Sequence, residues 1–359
     1  MEGILGDIFA TNMGVPQGDS LSPILFIIYL EAVMRDLAKE LLTRFDIVIP
    51  TDIIFADDCD FVVDSEEEVA QILAVAPEVF KRWGLTMNST KTEVTCIEKV
   101  EKVDGPDGKR VRPERRVVKI FQVDGVLVKS TKWEVTKKLG SLLDIDADLR
   151  NRIKKAKSMF SQCWKLWKFN LGIDMKVQFY KVLIQSILLY NCGTWGLTNT
   201  QIDRLEGCNR SLLRRLLGVF HPNKISCAKL YEKTKTELIY GRVLNQKWKL
   251  CRKVLEMDER TPAMHWFRGY FKCDRPKHLG KSNVTLVVSL MQDLKLVDVK
   301  LQNEKDFDRL QAIAKNNSGM EWEDLVERIF NAKKKELAER DIKKRARAQA
   351  KEIEELRFN

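Results

Sequence analysis

Several things are missing from this 359-residue sequence, and each absence closes off a class of function. No window approaches eighteen uninterrupted apolar residues, so a membrane-spanning helix is not expected. The N-terminus has no basic region ahead of an apolar core, so no secretory signal is indicated. The eight cysteines stand at 59, 96, 163, 192, 208, 227, 251 and 273 with no CxxC pair, which leaves neither zinc-site spacing nor a zinc knuckle. A disulfide framework does not suit so long a chain, and the pattern reads as reduced thiols of an intracellular protein, nuclear or cytoplasmic. Cys273 and His278 come nearest to a metal pair, and they lack the further ligands of a site.

What is present is an uneven charge. The net +11 conceals residues 1–97 with 6 Lys/Arg against 17 Asp/Glu, net −11, and a remainder at net +22. An acidic part able to hold cations is followed by a basic part suited to phosphate backbones. Charge that merely solvates helices explains either half singly, but it accounts less well for the asymmetry. The length fits two or three domains, and 44% hydrophobic residues supply real cores.

The acidic part centres on Thr51–Ser65, TDIIFADDCDFVVDS. Ile53, Ile54 and Phe55 lead into Asp57 and Asp58, and Phe61, Val62 and Val63 lead out, which predicts two strands joined at the acids. Adjacent carboxylates repel, and Asp is depleted in strands, so the placement is unfavourable unless a divalent cation sits there. Mg²⁺ takes carboxylate oxygens together with substrate phosphates. A water-exposed acidic turn is the alternative. Upstream, Gly14-Val15-Pro16-Gln17-Gly18-Asp19-Ser20-Leu21-Ser22-Pro23 is a punctuated loop opening a long apolar run, with Ser22 placed to cap a helix and Pro23 suited to its first position.

The pair GVPQGDSLSPILF and FADD, with a helix between, resembles the palm of a reverse transcriptase of the non-LTR (LINE-type) retrotransposon class. WGLTMNSTKTEV resembles the family's Gly-Leu…Asn…Lys-Thr segment. VTKKLGSLL resembles its primer-gripping segment, with Lys138 in place of the usual aromatic. QSILLYNCGTW, LEGCNRSLLRRLLG and KVLEMDERTP extend the likeness to about residue 280. The resemblance implies Asp57 and Asp58 as metal-binding catalytic carboxylates, with Mg²⁺ or Mn²⁺ as cofactor. It implies Pro16, Gln17, Gly18 and Phe55 at the template and nucleotide, Phe55 standing where the family more often has Tyr. Lys91 would lie near the incoming phosphates as a general acid; taken alone, it reads as a solvated lysine. The implied partners are an RNA template, a DNA primer and dNTPs, with no membrane; oligomeric state is open.

The expected class is α+β: a partial polymerase palm, a β-hairpin with helices, followed by an all-helical thumb and C-terminal region. The expected divisions are 1–97 partial palm, 98–145 linker and primer-grip-like hairpin, 146–280 helical thumb and C-terminal region, and 281–359 connector and charged helical tail. In the first division a strand is expected at Ile8-Phe9-Ala10. The helix from Pro23 should be buried at its start, and one capped by Ser65 and Glu68 should kink or break at Pro77. Asp124-Gly125 signals a hairpin. Leu149, Ile153, Ala156, Phe160, Cys163 and Trp167 make an apolar stripe, with Arg150, Arg152, Lys154, Lys155 and Lys157 as a basic face for duplex phosphates. Trp164, Trp167, Trp195, Trp248 and Trp266 are expected in the core. The tail reads as a long exposed helix.

The family's further metal-binding Asp lies upstream of the glycine loop, and Gly6-Asp7-Ile8 does not match its context. Fingers and an endonuclease domain have no counterpart. The chain is therefore expected to be the C-terminal part of a reverse transcriptase, with little or no polymerase activity by itself. A non-catalytic nucleic-acid-binding remnant and a helical scaffold are the other readings.

Overall fold

The computed structural model describes residues 14–16, 18–48, 51–96, 103–104, 110–111, 120–123, 125–133, 135–272, 284–316 and 319–357. Gln17, Asp124, Cys273, His278, most of 98–118 and the expected Ile8–Ala10 strand lie outside the described residues. The chain forms two compact units that divide between Trp133 and Glu134.

The first unit begins with α1 (Ser22–Phe45), hairpin strands β1 (Thr51–Phe55) and β2 (Asp58–Val62), and α2 (Glu66–Arg82). Leu30, Val33, Met34, Leu37 and Leu41 recur at helical spacing along α1 and pack with Ile72, Val75, Ala76 and Val79 of α2. Each such fully buried aliphatic contributes roughly 1.5–3 kcal/mol over its exposed state. Short pairs follow: β3 (Thr95–Cys96), β4 (Val103–Asp104), β5 (Arg110–Val111), β6 (Ile120–Val123), β7 (Val126–Lys129) and β8 (Thr131–Lys132). Strands β6 and β7 form the hairpin expected around Gly125, whose φ of 77° supplies the left-handed turn. Phe121, Val123 and Val128 close a small core with Leu73 of α2.

Three local expectations in this unit are corrected. The first turns of α1 are largely exposed, with Ile24, Leu25, Ile27 and Ile28 all on the surface, because the core takes only the face that carries Phe26 and the stripe beginning at Leu30. Ser22 does not cap the helix; its hydroxyl donates to the Pro16 carbonyl at 2.7 Å, and Leu21 occupies the N-cap position. Pro77 lies inside α2 without ending it. The cap at Ser65 forms as expected on the amide of Glu68 (3.1 Å), while the Glu68 carboxylate reaches back to the amide of Asp64.

The second unit opens on β9 (Lys137–Lys138) and β10 (Ser141–Leu142), then becomes helical: α3 (Ile145–Gln162), α4 (Trp164–Lys168) and α5 (Ile173–Phe179). A π-helical turn (Tyr180–Gln185) and α6 (Ser186–Leu188) continue α5. There follow α7 (Asn199–Leu216), α8 (Cys227–Thr234), α9 (Ile239–Glu256), α10 (Pro262–Lys272), α11 (Leu286–Lys295), α12 (Glu304–Lys315) and α13 (Met320–Arg357). One core runs from Leu149 to Leu337. Three of its buried indoles find an acceptor: Trp167 the carbonyl of Phe160 (2.8 Å), Trp195 the carboxylate of Asp148 (3.3 Å), Trp248 that of Asp293 (3.3 Å). Asp293 also pairs with the buried Lys247, whose ammonium donates to Ser289 at 2.8 Å.

Here too the structure departs from the sequence reading. Trp164 and Trp266 are exposed, unlike the other three tryptophans named above. The stretch 286–315 supplies two core helices, and α13 is not a free tail in its first half, since Trp322, Leu325, Ile329 and Leu337 are buried. Dense charge around widely spaced hydrophobes concealed that face. Among the described residues no helix is long and apolar enough to cross a membrane.

Glu206 of α7 gives this core a pH dependence. Burial pushes its carboxyl above the ordinary 4.5, against the opposing pull of the Tyr240 amide (2.9 Å), the Tyr231 hydroxyl (3.1 Å) and Arg210. Below 4.5 both folded and unfolded chains hold the proton. As pH rises from there the unfolded chain ionises first, so stability falls until the native carboxyl also ionises. Glu206→Gln removes this slope. The stability of the variant relative to wild type should shift in its favour as pH rises above about 4.5 in thermal melts, and a flat difference would contradict the assignment.

Candidate active site

The acidic hairpin has the register the sequence implied: Thr51 pairs with Val62, Ile54 with Cys59 and Phe55 with Asp58, leaving Ala56-Asp57 as a two-residue turn. The pleat then sorts the side chains. Cys59 and Phe61 of β2 face inward and pack, with Val63 just beyond the strand, against the α1–α2 core, which anchors the hairpin. Phe55 and Asp58 share the opposite face with Ile53 and Val62, all of them exposed. Asp57 is exposed at the turn itself.

Ala56 has φ 56°, a left-handed backbone that glycine adopts without strain and alanine does not. The strained residue immediately precedes the two carboxylates. Hard oxygen donors of this kind suit Mg²⁺ or Mn²⁺, and Asp57 and Asp58 can supply them on adjacent residues. Among the described residues no third His, Cys, Asp or Glu joins them to make a metal cluster. The remaining coordination positions would fall to water and substrate phosphate.

The glycine loop is held by one acceptor. The carbonyl of Pro16 takes both the amide of Asp19 (3.5 Å) and the hydroxyl of Ser22, folding the loop onto the head of α1. Gly14 (φ 87°) and Gly18 (φ 96°) supply the backbone that this fold needs, and nothing lies near the position a Cβ would take at either. Pro16 and Gly18 are exposed. Lys91 sits on a turn fixed by Asn88, whose side-chain oxygen accepts from the Lys91 amide (3.2 Å) and from the hydroxyl of Thr90 (2.8 Å). Lys91 is exposed, and among the described residues no hydrogen bond or ion pair joins it to Asp57 or Asp58.

The Lys138-Leu139-Gly140-Ser141 segment in the second unit is a two-residue hairpin turn with φ of 45° at Leu139 and 83° at Gly140, the positive pair of a type I′ turn. Leucine is a poor fit there, and two side chains hold it. The Tyr190 hydroxyl donates to the Leu139 carbonyl (2.7 Å) and Arg152 to the Gly140 carbonyl (2.6 Å), while the guanidinium lies 4.4 Å from the centre of the Tyr190 ring. Arg152 is therefore not part of the solvent-facing basic row in which the sequence reading placed it. Lys154, Lys155 and Lys157 are exposed, and Arg150 pairs with Asp146 at 3.3 Å. The segment QSILLYNCGTW was marked, but the role of Tyr190 within it was not, because its partner lies 51 positions away.

Known proteins match the part of the chain that carries this geometry. The sequence model of the reverse transcriptase (RNA-dependent DNA polymerase) family aligns with residues 1–140. Residues 1–140 are thus similar to that family. The RNA-directed DNA polymerase from mobile element jockey of Drosophila funebris is 23% identical over an alignment of 231 residues that covers 60% of this chain and 23% of the relative. The chain thus spans less than a quarter of that relative's length, and the relative agrees with the non-LTR resemblance. No solved structure matches. Within residues 1–140, the glycine loop and the acidic hairpin are the described features with the local geometry for chemistry.

The strain at Ala56 can be measured. Ala56→Gly should protect the hairpin amides from hydrogen exchange at least as well as wild type, and Ala56→Val should cost about 1–2 kcal/mol of local stability. Equal protection in all three proteins would show that the turn does not hold the left-handed backbone.

Proposed function

We propose that the chain is part of a non-LTR retroelement reverse transcriptase, an RNA-directed DNA polymerase, and that its share of the nucleotidyl-transfer site is the Asp57-Asp58 hairpin with the Pro16–Gly18 loop. One observation carries this reading. The paired carboxylates stand exposed at the strained end of an anchored two-residue hairpin, inside the segment that matches the family.

Reverse transcriptases use divalent metal ions, and Asp57 and Asp58 are the residues that would hold Mg²⁺ here. The bound ion would stabilise negative charge developing on the transferred phosphate. The protein's own groups do the positioning. The hairpin register fixes Phe55 beside Asp58, so the ring offers an apolar surface to a nucleotide next to the carboxylate. Gly18, lacking a side chain, lets the loop backbone come close to the template–nucleotide pair, with Gln17 beside it. Lys91 would neutralise or protonate departing pyrophosphate. The substrates are dNTPs on an RNA template with a DNA primer. Lys154, Lys155 and Lys157 of α3 would hold the duplex through its phosphates, as a polymerase thumb does, with little reading of sequence.

Two carboxylates leave much of the metal's coordination to other groups, so the chain by itself should extend a primer at no more than a trace rate in Mg²⁺ or Mn²⁺. Whatever it incorporates should vanish with Asp57→Ala and with Asp58→Ala. Robust incorporation that survives either substitution would overturn the assignment. The basic face of α3 favours a second reading, a nucleic-acid-binding protein without catalysis. That reading is supported if salt-sensitive duplex binding persists in both variants and no incorporation is detected.

A further inference from the structure

We propose that a cavity in the second unit, lined by the π-helical turn Tyr180–Gln185, the start of α9 and Phe330 of α13, binds an adenine nucleotide. The proposal goes beyond the nucleotidyl-transfer reading and does not rest on it, because the cavity shares no residue with the acidic hairpin, the glycine loop or α3. Its volume is about 340 Å³, at the lower end of the ~300–1,000 Å³ of ligand clefts, which suits one nucleotide.

One wall can read the edge of a base. Lys181 and Gln185 stand four positions apart on the π-helical turn and so share a face, and such turns are frequent at functional sites. Gln185 is only 4% exposed, and its side-chain amide makes a single hydrogen bond among the described residues, a long one of 3.4 Å from Nε2 to the Asn209 Oδ1. An amide has two donor and two acceptor positions, so the second N–H stays unused, and Oε1 has no partner. A Gln amide pairs twofold with adenine, accepting from the N6 amine and donating to the ring nitrogen beside it. Glu237, exposed and in no ion pair among the described residues, offers a further acceptor for that amine.

The other walls suit the rest of a nucleotide. Leu238, Ile239 and Phe330 give an apolar surface for the purine. Phe330 can lie against α9 because Gly241 faces it, where a Cβ would come within 2.5 Å of the ring. Lys181 and Arg242 make no ion pair among the described residues, which leaves two cations for a phosphate. Lys235 is already paired with Asp174 at 2.9 Å, and the Tyr240 amide at the head of α9 is taken by Glu206, so neither is assigned to the ligand.

The test is isothermal titration calorimetry of the full chain with AMP, IMP and inorganic phosphate, in EDTA so that the Asp57-Asp58 hairpin holds no metal. AMP and IMP differ only at the purine edge assigned to Gln185, so AMP should bind about tenfold more tightly or better. Arg242→Ala, at an exposed position, should weaken AMP about tenfold, and Glu237→Ala should narrow the preference for AMP over IMP. Gln185→Leu, close in size, should abolish that preference in protein whose circular dichroism matches wild type. Asp57→Ala should change AMP affinity less than about twofold. The same series with short oligo(A) and oligo(I) RNA separates the two sources of the nucleotide. Binding of AMP itself marks a free nucleotide; selective binding of oligo(A) alone, with the same losses in the variants, marks an unstacked adenosine of a strand, and either supports the proposal. Equal affinity for AMP and IMP, or full competition by millimolar phosphate, would overturn it and leave only an anion site. Loss of AMP binding in Asp57→Ala but not in Arg242→Ala would also overturn it, placing the nucleotide at the hairpin in keeping with the polymerase reading. No binding of AMP or oligo(A) would remove the proposal and leave that reading as it stands.

Discussion

Two carboxylates on neighbouring residues at the tip of an antiparallel pair repel each other, and the geometry around them in the first unit is built to hold them there. Like charges ~4 Å apart repel by about 1 kcal/mol in water and about 4 kcal/mol at the effective dielectric of a protein surface. Exposure of Asp57 and Asp58 keeps the repulsion toward the lower figure. The turn adds strain at Ala56, and anchorage by Cys59, Phe61 and Val63 offsets both. A divalent cation reverses the sign of the electrostatics, turning mutual repulsion into shared attraction. Strain of this kind persists where the surroundings over-determine it, and such sites are often functional.

The second unit solves a related problem by different means. Leu139 and Gly140 both adopt left-handed backbone, and hydrogen bonds from Tyr190 and Arg152 fix them from outside the turn. Arg152 lies on α3 and Tyr190 in the turn just beyond α6, and both helices are locked into one large core, so the turn rests on a stiff support. The same core aligns Lys154, Lys155 and Lys157 toward solvent on α3, because Leu149, Ala156 and Phe160 on its other side are buried.

The parts of this protein that were legible in the sequence are those governed by short-range rules. The Asp57 turn was readable because apolar runs on both sides of two acids force a hairpin, and Gly125 was readable because a two-residue turn needs a residue tolerant of positive φ. The stripe Leu149–Phe160 followed from helical periodicity. What was hidden depends on distant partners. Arg152 lies two and three positions before the exposed Lys154 and Lys155, and its contacts with the Gly140 carbonyl, Ser141, Asp148 and the Tyr190 ring turn it inward. The start of α1 looks buried because it is apolar all round, whereas burial depends on where α2 lies. Trp322 and Ile329 are sparse among charges, yet they complete the core beside Trp248.

The central claim is that Asp57 and Asp58 form a divalent-metal site, and the most direct measurement is paramagnetic broadening by Mn²⁺ of the backbone amide signals in the full chain. The account predicts broadening centred on Phe55–Asp60 at low Mn²⁺, lost in Asp57→Asn/Asp58→Asn protein whose other signals are unmoved. Broadening that persists in that variant, or that centres on the Glu66–Glu68 acids at the head of α2, would contradict it.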